Sequence, residues 1–248
     1  KPVADVLRHE GHKLLGLSVQ KIGETAIVPL TEFSLEGPGR SRMRQVYNRA
    51  GRDGLSFEVL PPEAVAGHMD RLQEISDDWL DAHSGAEKGF SLGRFDPDYI
   101  ASFPVAVARL DGEIVAFANL WPGAGKQEIA IDLMRFSSAA PRAVMDYLFV
   151  STMLWAKEAG YQRFDLGMAP LAGLEAHRLA PAMTRIGAFL FEHANAVYGF
   201  EGLRAYKDKF HPVWEPVYLA APNARALPGA LADVGILTSG GLSRIFHK

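Results

Sequence analysis

Cysteine is absent from the 248 residues. That excludes a disulfide framework, a thiolate nucleophile and any zinc site built on sulfur. No run of about 18 apolar residues occurs, so no segment reads as a bilayer-spanning helix. The eight histidines show no HxxxH or similar ligand spacing, and no metal is expected. The N-terminal KPVADVLRHEGHKLLGLSVQ lacks the continuous apolar stretch of a signal peptide. It also lacks an initiator methionine and begins in mid-pattern, so a fragment of a longer protein is expected. A strong charge of one sign is missing too. The formal net charge of −3 argues against a generally basic nucleic-acid binder and confines anion binding to local patches. What is present is an ordinary globular composition, 48% hydrophobic and 22% charged. It suffices for one large domain, or one domain and part of another.

KIGETAIVPL, from Lys21 to Leu30, is β-branched and alternating, and reads as a strand ended by Pro29. A basic helix follows from about Gly39 to Ala50, carrying Arg40, Arg42, Arg44 and Arg49. LSFEVL (Leu55 to Leu60) is a short strand. Beyond it, Val65, Met69, Leu72, Ile75, Trp79 and Leu80 recur at steps of three and four, which predicts one amphipathic helix of about 20 residues starting at proline. Two apolar runs flank Asp111-Gly112 and predict a β-hairpin with a tight turn. QEIAIDLMRF (Gln127 to Phe136) is the next strand, Pro141 to Gly160 a long helix, and YQRFDLGM another strand. A second helical zone runs through GLRAYKDKFHPVWEP, WEPVYLAAP closes as a strand, and the tail is a weak helix with a Gly-rich end.

From Leu55 onward the order is strand, helix, three antiparallel strands, helix, strand, helix, strand. This is an α+β arrangement, the running order of the acyltransferase fold typified by GCN5-related N-acetyltransferases: a mixed central sheet flanked by helices. Acetyl-CoA enzymes of that fold hold the cofactor pyrophosphate on backbone N–H groups of a Gly-rich turn at a helix N-terminus. Here the connection reads MRFSSAAPRAVMDYL. It has no glycine, and Pro141 removes one N–H donor. CoA is therefore disfavoured, and no cofactor is expected.

Within IDLMRF, Asp132 and Arg135 stand out. Positions three apart on a strand face opposite sides, so the two share a site only near the strand's end or at a bulge. A carboxylate in an apolar strand needs a partner. From the pattern alone, an Asp–Arg pair that merely fixes the loop is as good a reading as a functional one. In GLRAYKDKF, Arg204, Lys207 and Asp208 lie three and four apart on one helical face, while Tyr206 and Phe210 share another. Lys209 points about 200° from Lys207, so only one of the two lysines can enter a given pocket.

EKGFSLGRFDPDYI, VARLDGEIVAFANL, IDLMRF, VMDYLFVSTMLWAKEAGYQRFDLGMAPLAG and GLRAYKDKFHPVWEPVYLA together resemble the cytosolic catalytic region of the bacterial aminoacyl-phosphatidylglycerol synthases, the multiple peptide resistance factor type. QKIGETAIVPLTEFSLEGPGRSRMR fits the end of that region's first acyltransferase-like subdomain and its basic linker helix. The resemblance implies a four-part division. Residues 1–36 end a first acyltransferase-like subdomain, and 37–54 are the linker helix. Residues 55–222 form the catalytic domain, and 223–248 a weak helix and flexible tail. Family members carry an N-terminal multispan membrane part that is absent here. The implied location is the cytoplasmic face of the bacterial inner membrane, with aminoacyl-tRNA and phosphatidylglycerol as partners.

The implied reaction moves lysine or alanine from the 3′ ester of aminoacyl-tRNA to a hydroxyl of the phosphatidylglycerol headgroup. It alters membrane charge and confers resistance to cationic antimicrobial peptides. Without cysteine or a nucleophile elbow, direct attack by the lipid hydroxyl is simpler than an acyl-enzyme. Asp132 is assigned to amino-acid recognition or proton transfer, Arg135 to phosphate or oxyanion, and Lys207, with Arg204 behind it, to the lipid phosphate or ester oxyanion. Asp165, Asn119, Glu87, Arg94 and Glu192 are candidate substrate-binding residues. Arg40, Arg42, Arg44 and Lys209 are candidates for a tRNA or lipid surface. The competing readings are a related transferase acting on a peptide or amine, and a non-catalytic tRNA- or membrane-docking module.

Overall fold

The computed structural model describes residues 17–82, 95–170 and 200–238. The chain divides into two compact units, one of residues 28–165 and the other of the remaining segments. Strand β1 (Ser18–Pro29) and strand β6 (Arg163–Pro170) each run from one unit into the other.

In the larger unit, helix α1 (Ser41–Arg52) precedes β2 (Leu55–Leu60). The expected single helix after β2 is instead a short helical turn at Pro62–Val65, a 3-10 turn at Ala66–His68, and helix α2 (Met69–Ala82). The apolar spacing was read correctly. It does not register that the chain tightens at Ala66-Gly67, where glycine weakens a helix. Helix α3 (Pro97–Ala101) is only five residues long. Strands β3 (Val105–Leu110), β4 (Glu113–Pro122) and β5 (Glu128–Phe136) follow, then helix α4 (Val144–Glu158). Both Asp111 (φ 52°) and Gly112 (φ 94°) have positive φ, the backbone of the tight hairpin turn that the Asp-Gly pair predicts.

Strands β2 to β5 are antiparallel neighbours, and β5 pairs parallel with the start of β6 through Glu128–Arg163, Ile129–Phe164 and Ala130–Asp165. This mixed sheet, with helices on both faces, is the GCN5-related acyltransferase arrangement. Alternation sorts its residues by face. Val105, Val107, Phe117 and Leu133 join Leu72 and Ile75 of α2 and Ile100 of α3 in one buried cluster. The intervening Ala106, Ala108, Ala116 and Ala118 are fully buried and pair with one another across β3 and β4, a flat floor on the opposite face, where α4 packs. Helix α1 lies against α4, with Tyr47 stacked on Tyr147 at 5.2 Å between ring centroids.

In the smaller unit, β1 pairs antiparallel with β7 (Val213–Ala221), from Ser18–Ala221 to Ile27–Val213. Helix α5 (Phe200–Asp208) precedes β7, and helix α6 (Leu227–Thr238) follows it. Among the described residues no helix is long and apolar enough to cross a membrane.

Candidate active site

The strand carrying Asp132 and Arg135 is not regular. Between Ala118–Met134 and Leu120–Ile131 the register slips. Two steps on β4 therefore face three on β5, which is a β-bulge opposite Asn119. Leu133 belongs to the cluster shared with α2 and α3. Arg135 lies over the Trp79 ring of α2, its guanidinium carbon 3.9 Å from the centroid. The Tyr99 hydroxyl of α3 donates to Asp132 Oδ2 at 3.2 Å. The side chains of Asp132, Leu133 and Arg135 thus all meet elements of the α2–α3 face. The extra residue brings the carboxylate and the guanidinium to one side of the sheet despite their odd spacing.

Asn119 is fully buried, and its Oδ1 accepts from Leu133 N–H at 2.7 Å. It holds the bulge from within the sheet instead of standing at a strand end. Tyr99 is placed by its short helix. Asp96 caps it by accepting from Tyr99 N–H at 3.2 Å, Pro97 begins it, and Ile100 is buried. Trp121, 41% exposed at the end of β4, donates its indole N–H to the Tyr99 hydroxyl at 2.8 Å. Burial first, and the charge of Asp132 second, raise the Tyr99 hydroxyl above its ordinary pKa. Sequence reasoning missed Tyr99 and Trp121, because nothing in FDPDYI or ANLWP marks their side chains as neighbours of Asp132. The usable hint was that a carboxylate in an apolar strand requires a donor.

Three backbone donors in the connection after β5 are already committed. Ser137 N–H goes to Val115 O, Ser138 N–H to the Asp78 carboxylate at 2.6 Å, and Ala140 N–H to Ser137 O. Pro141 has none.

In the smaller unit, Lys207 is 6% exposed and donates to the carbonyls of Gly167 at 2.9 Å and Met168 at 3.0 Å. Gly167 has φ 85°, and a Cβ there would stand 3.6 Å from Lys207 Nζ. Arg204, expected behind Lys207, pairs with Glu24 of β1 at 2.6 Å and covers the Trp214 ring at 4.2 Å. Burial would raise the Glu24 carboxyl, but hydrogen bonds from Lys21 and Arg204 outweigh it and hold the group below its ordinary pKa. Trp214 donates to Asp208 Oδ1 at 2.9 Å. Lys209 lies in the turn just past the end of α5, exposed and over Tyr206, whereas Lys207 is buried.

Asp165 stands opposite Ala130 on β6. On α1, Arg44 donates to the carbonyls of Leu35 and Gly37, and Arg40 covers the Phe33 ring, so both brace the segment before the helix. Arg42, Arg49 and Arg52 are exposed on one face, three and seven residues apart. Glu87, Arg94 and Glu192, with Lys88 and Ser91, lie outside the described residues. Among the described residues no group of His, Asp and Glu is arranged to hold a metal.

The sequence matches the family "Phosphatidylglycerol lysyltransferase, C-terminal" over residues 2–221. A phosphatidylglycerol lysyltransferase of Bacillus subtilis is 42% identical over 213 residues, 86% of this chain and 25% of the relative. One from Staphylococcus aureus (strain N315) is 36% identical over 215 residues, with the same coverage. The structure of L-PGS from Bacillus licheniformis superposes with a TM-score of 0.78 at 39% identity, covering 92% of this chain and 69% of that one. A C-terminal domain assigned to a lysylphosphatidylglycerol synthetase of Agrobacterium fabrum gives 0.79 at 52% identity, covering 92% and 68%. FemX, at 12% identity and a TM-score of 0.58 over 89% of this chain and 69% of that one, shares the fold alone. The chain spans about a quarter of the length of the curated relatives it matches. With the family match running through β1, the bulged β5 and β7, the chain belongs to the phosphatidylglycerol lysyltransferase C-terminal family.

Proposed function

We propose that the chain is the acyl-transfer part of a longer enzyme that moves lysine from lysyl-tRNA to phosphatidylglycerol at the cytoplasmic membrane face. The observation that carries this reading is the β5 bulge, which sets a carboxylate and a guanidinium on one face of an acyltransferase sheet. Family membership supplies the acceptor class. A headgroup hydroxyl oxygen attacks the ester carbonyl of the donor. The tetrahedral oxyanion collapses, the bond to the ribose 3′ oxygen breaks, and that oxygen takes up the proton the hydroxyl gave. One ester replaces another, so no ATP is consumed.

Arg135 faces the developing oxyanion or the lipid phosphate, where a fixed cation is worth more than in water. Asp132 meets the amino-acid cation or takes the proton. In the smaller unit, Lys207 serves a lipid phosphate, and on the larger unit the Arg42, Arg49 and Arg52 face meets anionic phosphates. Lysine is preferred over alanine as cargo on the strength of the relatives' names.

The test incubates phosphatidylglycerol vesicles with tRNA charged with labelled lysine or alanine and reads label in the lipid fraction. It is run with this chain and with the longer protein containing it. Label from lysyl-tRNA is expected; no transfer by either from any charged tRNA would overturn the reading.

A further inference from the structure

Beside the bulge, three side chains form a hydrogen-bonded line of a single polarity. The Trp121 indole N–H donates to the Tyr99 oxygen at 2.8 Å, and the Tyr99 hydroxyl meets Asp132 Oδ2 at 3.2 Å. An indole nitrogen only donates, an ionised carboxylate only accepts, and a phenol does one of each. Once Trp121 occupies the phenol oxygen, the phenolic proton has one use in this line, and it points at Asp132.

We propose that Tyr99 and Trp121 are positioning residues that hold the Asp132 carboxylate ionised and fixed in direction, as counter-charge for the ammonium group of the transferred amino acid. This rests on the reading of Asp132 as a substrate-facing acid and decides between its two assigned roles. A hydrogen bond donated to the charged form favours that form, which weakens Asp132 as a base. The line also ends at an indole that cannot accept a proton, so nothing Asp132 took up could leave along it. It suits holding a cation, not relaying a proton.

Geometry supports a built arrangement. Asp96 and Ile100 fix α3 around Tyr99, and Tyr99 rests edge-on against Phe103 at 5.0 Å. The Asn119 side chain secures the strand at Leu133, next to Asp132. The other charged groups on the elements around Asp132 are Asp70, Arg71, Glu74, Asp77, Asp78 and Asp81 of α2, Asp96 and Asp98 at α3, Glu113 of β4, Glu128 and Arg135 of β5, and Arg163 and Asp165 of β6. None of these is altered by the substitutions proposed.

The experiment is a carbon-13 NMR titration of aspartate carboxyls, with the Asp132 signal assigned by its loss in Asp132→Asn. In Tyr99→Phe the Asp132 midpoint is expected to rise by about one pH unit, the scale of a lost charge-assisted hydrogen bond. In Trp121→Phe it rises less. Both variants keep an aromatic ring, and thermal unfolding checks that they remain folded. An unmoved Asp132 midpoint in folded Tyr99→Phe would overturn the proposal. In the transfer assay, Tyr99→Phe is expected to raise KM for lysyl-tRNA about tenfold with a smaller fall in kcat, and a change in kcat alone would count against it. If wild type transfers nothing while the titration shifts as stated, the positioning role stands and the proposed reaction falls.

Discussion

The Arg135 guanidinium carbon sits 3.9 Å from the centroid of the Trp79 ring, so the cation on β5 is aimed by an aromatic plate on α2. A planar guanidinium stacks in a way an ammonium does not. Arg135→Lys, which keeps the charge, is therefore expected to lower transfer by about 30-fold, the equivalent of roughly 2 kcal/mol of desolvated cation–π contact. A double-mutant cycle with Trp79→Leu should return a coupling of that sign. Additive losses would show that the ring does not aim the cation.

Asp132→Asn preserves shape and keeps an oxygen for Tyr99 while removing the charge. Transfer is expected to fall by about a hundredfold or more with little change in melting temperature. Wild-type transfer rates in this variant would remove Asp132 from the site.

Lys207 has a second consequence beyond charge. It donates to the carbonyls of Gly167 and Met168, so Lys207→Met removes both hydrogen bonds made by this buried side chain and is expected to cost about 1–3 kcal/mol in urea unfolding. Gly167→Ala places a Cβ at φ 85° and should destabilise by about 1 kcal/mol through backbone strain. Unchanged unfolding midpoints in both would show that this anchor carries no structural load.

Glu24 makes an acid-dependent prediction. Its folded pKa lies below the ordinary value of 4.5, so its contribution is complete above that pH and is lost as pH falls through the folded value. Thermal unfolding between pH 6 and acid should fall more steeply in wild type than in Glu24→Gln below about pH 4.5. Parallel curves would contradict the Lys21–Glu24–Arg204 arrangement.

The exposed arginines of α1 offer a test by salt. Replacing Arg42, Arg49 and Arg52 with Gln should flatten the log–log salt dependence of tRNA binding by about 2, near 0.7–0.9 per lost phosphate contact. Melting temperature should hold, because exposed pairs such as Arg49–Asp53 contribute little. An unaltered slope would place the tRNA elsewhere.

The element order was legible because its signals are local. Asp111-Gly112 can only be a tight turn between two apolar runs, and the 3.6-residue rhythm of α2 survives into the structure. What stayed hidden is non-local. That Asp132 and Arg135 share a face depends on a register slip opposite Asn119, and such a slip is decided between strands. That Arg204 belongs to Glu24 depends on pairing β1 with β7 across most of the chain length. Tyr99 and Trp121 approach Asp132 only after α3, β4 and β5 are assembled.

The bulge also explains why the interval in IDLMRF is three. On an unbroken strand, partners on one face are separated by an even number of steps, and an odd interval would split them. The odd interval and the extra residue are therefore two halves of one specification. A chain that lost the slip while keeping the motif would turn one of the two charges through the sheet. A chain that closed the interval to two would need no slip at all. A search for distant members of this family should accept both spellings, with two residues apart and no bulge read as equivalent to three apart and one bulge.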